Sequence, residues 1–565
     1  MELTQYKKCS NVIRGLQKAD FVLKNAKVIN VFTEEIQEAD IAIVEGIIVG
    51  VGNYEGTVEH DVSGKYVCPG FIDSHLHLES TLVTPPELVC NAAMCGTTTF
   101  IVDPHESANV SGKDGIDYIL EQTEDVPANV YVMVPSCVPA TEVDDNGCVL
   151  TAEKLAPYLK NSRILGLGEV MDYKAVTTGN AKMHAKLRLF QDKVRDGHAP
   201  FLNDADLNAY VLAGIATDHE CVDFAYAMQE RRRGMTVLIR EGSAAKNLEA
   251  IVGGIVNAGA DTAGFCFCTD DKHIEEIKKD GHINYNVKKA VELGLPPIKA
   301  IKMATIQAAR CYGLTNIGAI APGYQADLIV CQNLEDFIIE AVYYKGNLIT
   351  EEKMKRKPCP ATLKNTVHIR DFKKADFALK IPEEPFPVIQ MIEGQITTKE
   401  CRAKIPGNEF FAPDDTYKKI VVIERHHKTG KMGVGVVTGF GIRNGAIASS
   451  VSHDSHNIIV IGDNDTDMEI AVRELVRTQG GYTLVEHGKV VGTLELPIMG
   501  LISDRGYVYV DKVLSAMIKK AHTMGISENM DPFITLSFMA LPVIPEIRIT
   551  PRGIYNVRQH AIVIT

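Results

Sequence analysis

At 565 residues the chain is too long for one hydrophobic core, because typical domains hold about 100 to 200 residues, so two or three domains are expected. Its formal charge of −13 argues against a nucleic-acid partner, because such binding draws its affinity from clustered lysine and arginine. The N-terminal residues lack an apolar segment long enough for a signal peptide or a membrane span, which predicts a cytoplasmic protein with no membrane partner. The thirteen cysteines contain no C-x-x-C pair, which predicts reduced thiols rather than a disulfide framework.

The two flanks of the central region show short β-rich runs separated by polar or glycine turns. Residues 1–67 contain FVLKNAKVINVF and DIAIVEGIIVGVG, and residues 313–357 contain IGAIAPGYQADLIV and AVYYKGNLI. We expect the two segments to form one small β-sandwich domain that is built from both flanks.

Residues 68–312 alternate short apolar runs with amphipathic helical segments. About eight such units predict a closed (β/α)8 barrel, in which the chemistry lies at the C-terminal ends of the strands. After residue 357 the sequence is punctuated by proline and glycine, with a helix candidate at DMEIAVRELVRTQGG, and residues 358–565 are expected to form a third, mixed α/β domain.

The strongest chemical signal is GFIDSHLHLES, in which one residue separates His75 from His77 at the end of an apolar run. Alternate residues of a strand face the same side, so the two imidazoles can share one metal ion. Such a pair by itself is more often solvated or structural. Further ligand-type residues follow later apolar runs in the order in which a barrel presents them: Glu169, His198, His219 and Asp270. Residues of types that bind metals, at five predicted strand ends, favour a metal centre.

This pattern resembles the amidohydrolase superfamily, which has H-x-H on the first strand, a bridging acid on the fourth, histidines on the fifth and sixth, and aspartate on the eighth. Many members use a carboxylated lysine as the bridge, whereas the corresponding run here offers Glu169, and the nearest lysine is Lys174. Longer segments are similar to the bacterial adenine deaminase family over nearly the whole chain. They include FIVDPHESANV, GLGEVMDY, ATDHE, IREGSAAKN, FCTDD and GGYTLVEHGKVVGTLELPIMGLISD.

The resemblance implies a hydrolase that converts adenine to hypoxanthine and ammonia in purine salvage. It implies two divalent ions per chain, manganese or iron before zinc, and a homo-oligomer, either a dimer or a tetramer. His75, His77 and Asp270 would bind one ion, and His198 and His219 the other. Glu169 would bridge ions about 3.5 to 4 Å apart, which lower the pKa of the water between them. That hydroxide would attack the purine carbon, and Asp270 would carry its proton to the departing amine.

Other residues are less constrained by the pattern. Glu106 is the candidate for protonating the purine ring, although His105 and Glu106 could instead orient metal ligands. Glu220 is a rival proton donor, and a surface acid that opens the next helix is an equally good interpretation.

Two further segments have competing interpretations. The residues Arg240, Glu241 and Ser243 resemble a substrate loop of the family, yet glutamate and serine are also ordinary helix-start residues. The polar run SHDSH at residues 452–456, which includes His453 and His456, could cover the barrel mouth as a lid. A solvated turn is the preferred interpretation.

Alternatives to adenine deamination remain open at this level. The metal pattern is shared with other amidohydrolase activities, such as cyclic amide hydrolysis or amino-sugar deacetylation, and a catalytically silent scaffold relative is a further alternative. A separate group of zinc-dependent nucleobase deaminases, of a different fold, carries H-x-E followed by P-C-x-x-C. No C-x-x-C occurs here, which excludes that fold. No G-x-S-x-G or phosphate-binding loop occurs either.

Overall fold

The computed structural model describes residues 1–243, 245–351, 357–393, 395 and 397–564. Within them, the central region contains eight parallel strands, which are numbered here as barrel strands 1 to 8. In chain order they are Phe71–Leu76, Thr97–Val102, Asn129–Val134, Ile164–Val170, Val194–Gly197, Thr217–Asp218, Thr236–Arg240 and Phe265–Cys268. Strands 1 to 5 form one sheet and strands 6 to 8 a second.

Backbone hydrogen bonds join the two sheets into a ring. The N–H of Ala216 donates to Arg195 O at 2.9 Å, which links strands 5 and 6. The N–H of Asp270 donates to His75 O at 3.0 Å, which links strand 8 back to strand 1. The predicted closed barrel is therefore confirmed.

Helices cover the outside of the barrel strands. A parallel strand covered on both faces is buried along its whole length, and strand 2, TTTFIV, is buried at every position. The α-helices of this region are Pro85–Met94, His105–Ser111, Lys113–Gln122, Ala152–Leu155, Tyr173–Thr177, Ala181–Leu189, Asp204–Leu212, Phe224–Arg232, Leu248–Ala258, Ile274–Asp280, Ile283–Glu292, Pro297–Met303 and Ile306–Cys311. Short polar side chains cap several of them, as where Asn203 accepts the N–H of Ala205 at 3.0 Å.

The two flanks form one hydrogen-bonded sheet beside an N-terminal helix, Leu3–Ile13. Its strands are Ala19–Asn30, Glu35–Val44, Ile47–Gly52, Gly56–Asp61, Tyr66–Pro69, Leu328–Cys331, Ile339–Tyr344 and Asn347–Leu348. Strand Tyr66–Pro69 pairs with Leu328–Cys331, so the sheet is built from both flanks, as predicted. Leu23, Val67 and Leu328 belong to one buried cluster within it.

The C-terminal region contains a mixed eight-stranded sheet and a separate three-stranded sheet. The larger sheet contains Phe386–Met391, Thr398–Ala403, Tyr417–Ile423, Met432–Thr438, Gly445–Ser449, Ile458–Gly462, Gly481–Glu486 and Lys489–Glu495, and the smaller contains Ile547–Thr550, Gly553–Asn556 and Ala561–Ile564. Its α-helices are Asp465–Thr478, Tyr507–Thr523 and Pro532–Ser537. The first of these is the helix predicted at DMEIAVRELVRTQGG, and it packs on the sheet through Met468, Val472 and Leu475.

Two further expectations concern membranes and thiols. No helix in the described part of the chain is both long and apolar enough to cross a membrane. All thirteen cysteines are free, and most of them are buried.

Candidate metal centre

The C-terminal ends of the barrel strands bring the six predicted metal ligands together. The ligands are His75 and His77 at strand 1, Glu169 at strand 4, His198 after strand 5, His219 after strand 6 and Asp270 after strand 8. All six are buried. Asp270 adopts a left-handed backbone conformation with φ of 57°, a strained geometry that concentrates at functional sites.

Glu169 lies between two groups of histidines. Its Oε1 is 3.4 Å from His77 Nε2, and its Oε2 is 2.9 Å from His198 Nδ1 and 3.3 Å from His219 Nε2. One carboxylate oxygen thus faces strand 1, and the other faces strands 5 and 6. Across the cluster, Asp270 Oδ1 lies 3.2 Å from His77 Nε2.

The donor set fits two divalent ions. Three overlapping trios could each hold a metal ion, because within each trio the potential ligand atoms lie within 4.8 Å of one another. The trios are His75, His219 and Asp270; His75, His77 and Glu169; and Glu169, His198 and His219. Buried atoms without hydrogen-bond partners include His75 Nε2, His198 Nε2 and His219 Nδ1. His77 Nδ1 donates to Asp103 O at 2.9 Å, which directs Nε2 toward the carboxylates, as in metal-binding histidines. Imidazole and carboxylate groups suit first-row divalent metals.

The electrostatics of the cluster favour a bound cation. Burial opposes ionisation of Glu169, but hydrogen bonds from His198 and His219 hold the pKa of Glu169 well below its usual range. Burial also opposes protonation of His219, yet Glu169 raises the pKa of His219 to about 9. The buried carboxylates therefore require positive charge beside them, which divalent ions supply.

A cavity of 2210 Å³ reaches the cluster and is lined by the segments that follow barrel strands 3 to 7. Its lining includes His198, Glu220 and Arg240 from the barrel and Pro542 and Tyr555 from the C-terminal region. The volume exceeds the roughly 300 to 1,000 Å³ of common ligand pockets, so a small substrate and its entry path both fit.

Arg240 connects two carboxylates at the inner wall of this cavity. Its guanidinium donates to both oxygens of Glu220, at 3.1 Å for the Nη2 contact, and to Asp270 Oδ2 at 3.0 Å. Although burial opposes ionisation of Glu220, the charge of Arg240 lowers the pKa of that carboxyl. Glu220 is buried, so its interpretation as a surface acid is wrong.

Comparisons with known proteins agree with this geometry. Residues 66–349 match the model of the amidohydrolase family, and residues 395–561 match that of the adenine deaminase C-terminal domain. An adenine deaminase of Desulfitobacterium hafniense (strain Y51) is 58% identical over 544 residues, which cover 96% of each chain. The chain belongs to the adenine deaminase family of amidohydrolases.

Further similarities extend this comparison. An adenine deaminase of Clostridium acetobutylicum is 45% identical and covers 96% of this chain and 97% of its own. The crystal structure of an adenine deaminase is 17% identical with a TM-score of 0.45, over 59% of this chain and 99% of that one. Family membership confirms the predicted resemblance and, with it, a hydrolase of the amidohydrolase superfamily.

The polar run at residues 452–456 lies inside the molecule. His453 is 6% exposed and its Nδ1 lies 3.0 Å from Glu106 Oε1, while His456 is fully buried. Asp454 Oδ1 lies 3.7 Å from His105 Nε2. The interpretation of this run as a solvated turn is therefore wrong, because its side chains contact helix His105–Ser111, which follows barrel strand 2.

Glu241 and Ser243 bind partners away from the ligand cluster. Glu241 Oε1 accepts from Lys289 Nζ at 2.7 Å, and Ser243 Oγ donates to Glu276 Oε2 at 2.6 Å. Of the predicted substrate loop, Arg240 lines the cavity. A role of Glu241 or Ser243 in substrate binding stays a prediction.

The sequence reasoning missed a layer of buried aspartates beneath the ligands. Asp103 Oδ2 accepts the N–H of Glu169 at 2.8 Å, and Asp73 Oδ1 accepts the N–H of His75 at 3.3 Å. Asp218 Oδ2 accepts the N–H of Glu220 at 2.8 Å. A signal was present, because a D-x-H pattern recurs at four strand ends: Asp73 and His75, Asp103 and His105, Asp196 and His198, and Asp271 and His273.

Proposed function

We propose that this chain hydrolyses adenine to hypoxanthine and ammonia, a reaction of purine salvage. The observation that carries the proposal is the position of Glu169, whose two oxygens face histidines from different sides of the barrel mouth. Identity of 58% over nearly the whole length to a protein named adenine deaminase supports adenine as the substrate.

Two divalent ions, manganese or iron in preference to zinc, would occupy the centre. His75, His77 and Asp270 would hold one ion, His198 and His219 the other, with Glu169 between them. When bound, such ions lower the pKa of water and so supply a nucleophile at neutral pH.

The side chains around the cavity divide the proton transfers between them. Asp270 accepts the proton of the attacking water and passes it to the departing amine, a transfer worth about 10²- to 10⁴-fold in rate. Its Oδ2 accepts from Arg240 at 3.0 Å, which fixes the carboxylate beside a residue of the cavity wall. For the purine ring we choose Glu220 rather than Glu106, because Glu220 lines the cavity and Glu106 pairs with His453. Arg240 keeps Glu220 ionised, so Glu220 would first accept the other proton of the attacking water and then deliver it to the ring.

Cellular context and assembly belong to the proposal as well. The free thiols support a reducing compartment, and we propose the cytoplasm. A homo-oligomer, either a dimer or a tetramer, stays a prediction from the resemblance. Light scattering of the purified protein measures its mass against 61.9 kDa for one chain.

The test is turnover by protein reconstituted separately with iron, manganese and zinc. Ammonia release and ultraviolet absorbance are followed with adenine, adenosine, cytosine and a cyclic amide. We expect adenine to be converted, Asp270→Asn to lose about 10²-fold or more of the rate, and the exposed matched variant Asp415→Asn to keep it. No adenine turnover with any metal, despite two bound ions, would overturn the substrate assignment.

A further inference from the structure

The C-terminal region inserts one turn, residues 452–457, into the mouth of the barrel. All six residues are buried. The N–H of His453 donates to Ser537 O at 2.9 Å, and Asn457 Nδ2 donates to Asp145 O at 2.7 Å. The turn is thus held from both sides, by its own region and by a barrel loop.

His105 lies between this turn and the metal centre. Its Nδ1 is 3.2 Å from Glu169 Oε1, and its Nε2, on the other side of the ring, is 3.7 Å from Asp454 Oδ1. The side chains of His105 and Asp454 are almost fully buried, and His105 Nδ1 has no hydrogen-bond partner. In a neutral imidazole one nitrogen donates and the other presents a lone pair, so a carboxylate at Nε2 directs the lone pair of Nδ1 toward Glu169.

The carboxylate of Asp454 lacks another explanation in its surroundings. Within 4 Å, its ion-pair partners in the described part of the chain are His105 and, at 3.9 Å, His453. Its Oδ2 is buried without a hydrogen bond. Burying a carboxylate without a lysine or arginine partner is costly, so this position is poorly suited to a purely stabilising role.

We propose that Asp454 is a positioning residue of the metal centre: its carboxylate, 3.7 Å from His105 Nε2, favours the tautomer with the proton on Nε2 and so leaves Nδ1 facing Glu169 and the ions that Glu169 would bridge. The inference rests on the proposed two-metal centre. It gives the C-terminal region a direct part in metal retention. Carboxylates that orient metal-facing histidines change metal affinity by about 10- to 100-fold when they are replaced.

The experiment compares Asp454→Asn with wild type as full-length, manganese-loaded protein. Manganese retained per chain is measured against increasing chelator, and the unfolding temperature of the stripped protein is recorded alongside. We expect the variant to lose manganese at about 10- to 100-fold lower chelator concentration, with an unchanged unfolding temperature after stripping.

Asp145→Asn is the matched control. Asp145 is another carboxylate between the barrel and the C-terminal region, where it accepts from Lys431 at 2.6 Å and Arg552 at 2.9 Å. It has no contact with His105 among the described ion pairs. This control should retain manganese like wild type, since it alters the interface and leaves the imidazole in place.

A double-mutant cycle tests whether Asp454 acts through His105. In a His105→Asn background, Asp454→Asn should add less than about twofold to the loss of manganese, since coupled residues are not additive. Fully additive losses of manganese would overturn the inference but leave the proposed metal centre standing. Equal manganese retention by Asp454→Asn and wild type would do the same. Wild-type protein that binds no manganese would overturn the proposed centre and the inference with it.

Discussion

At the scale of single residues, Arg240 organises the cavity wall. It donates to both oxygens of Glu220 and to Oδ2 of Asp270, so one guanidinium pairs with two carboxylates. A planar guanidinium suits this geometry, because its donors point in fixed directions. Glu106 has a different environment, since it contacts Ser80 at 3.3 Å and His453 at 3.0 Å.

Replacing these two glutamates with glutamine separates their roles. In manganese-loaded protein, Glu220→Gln should lower kcat for adenine by about 10²-fold or more, because a group that transfers a proton in the cavity is removed. Glu106→Gln should cost less, since Glu106 lies outside the cavity wall. Steady-state kinetics with parallel metal analysis give the answer, and a larger loss in Glu106→Gln would reverse the assignment.

At the scale of elements, strand 4 positions Glu169 through its backbone. Gly168 lies directly before Glu169, and a Cβ added there would lie 2.1 Å from Asp103 Oδ2. That oxygen accepts the N–H of Glu169, so the glycine permits the contact that fixes the bridging residue. The close approach of the Asp103 side chain to strand 4 therefore depends on the absence of a side chain at residue 168.

Gly168→Ala should thus destabilise the protein by about 1–3 kcal/mol through overpacking and weaken manganese retention. Gly253→Ala is its control, because Gly253 lies in helix Leu248–Ala258 with no atom within 4 Å of an added Cβ. The control should gain about 0.5–1 kcal/mol from the reduced flexibility of the unfolded chain. Thermal unfolding and metal analysis compare the two variants. Equal unfolding temperatures and equal manganese retention would contradict the role of Gly168.

At the scale of the whole molecule, the C-terminal region and the barrel share one hydrophobic cluster. Leu82 and Val102 of the barrel belong to the same buried cluster as Val436 and Leu501. The N–H of Ser503 donates to Leu82 O at 2.9 Å, in the segment that follows barrel strand 1. The turn at residues 452–457 lies against His105 and Glu106, and the cavity is lined by the segments that follow barrel strands 3 to 7.

Metal removal should therefore affect the whole chain. A ligand at 1,000 times its dissociation constant stabilises the folded state by about 4 kcal/mol, so chelation should lower the unfolding temperature and abolish turnover. Manganese should restore both, whereas calcium, which prefers all-oxygen sites, should restore neither. Calorimetry of stripped and reloaded protein tests this, and an unfolding temperature that is insensitive to metal would count against a resident centre.

Part of this molecule was predictable because its signals are local in sequence. His75 and His77 follow from period-two geometry, and Glu169 follows from its place at the end of an apolar run. Asp103 was missed although it also ends an apolar run, since its partner, the N–H of Glu169, lies on another strand. Hydrogen bonds between strands depend on register, which a single sequence leaves open.

The sequence by itself determined the barrel, the flanking sheet and the order of the ligand-type residues, because buried strands and metal-binding side chains leave short periodic patterns. Only the tertiary structure decided which residues face the cavity and which face the C-terminal region. A polar turn such as residues 452–457 looks solvated in the sequence, yet its partners, His105 and Glu106, lie far away along the chain. Burial of polar groups depends on such distant partners, and folding alone brings them together.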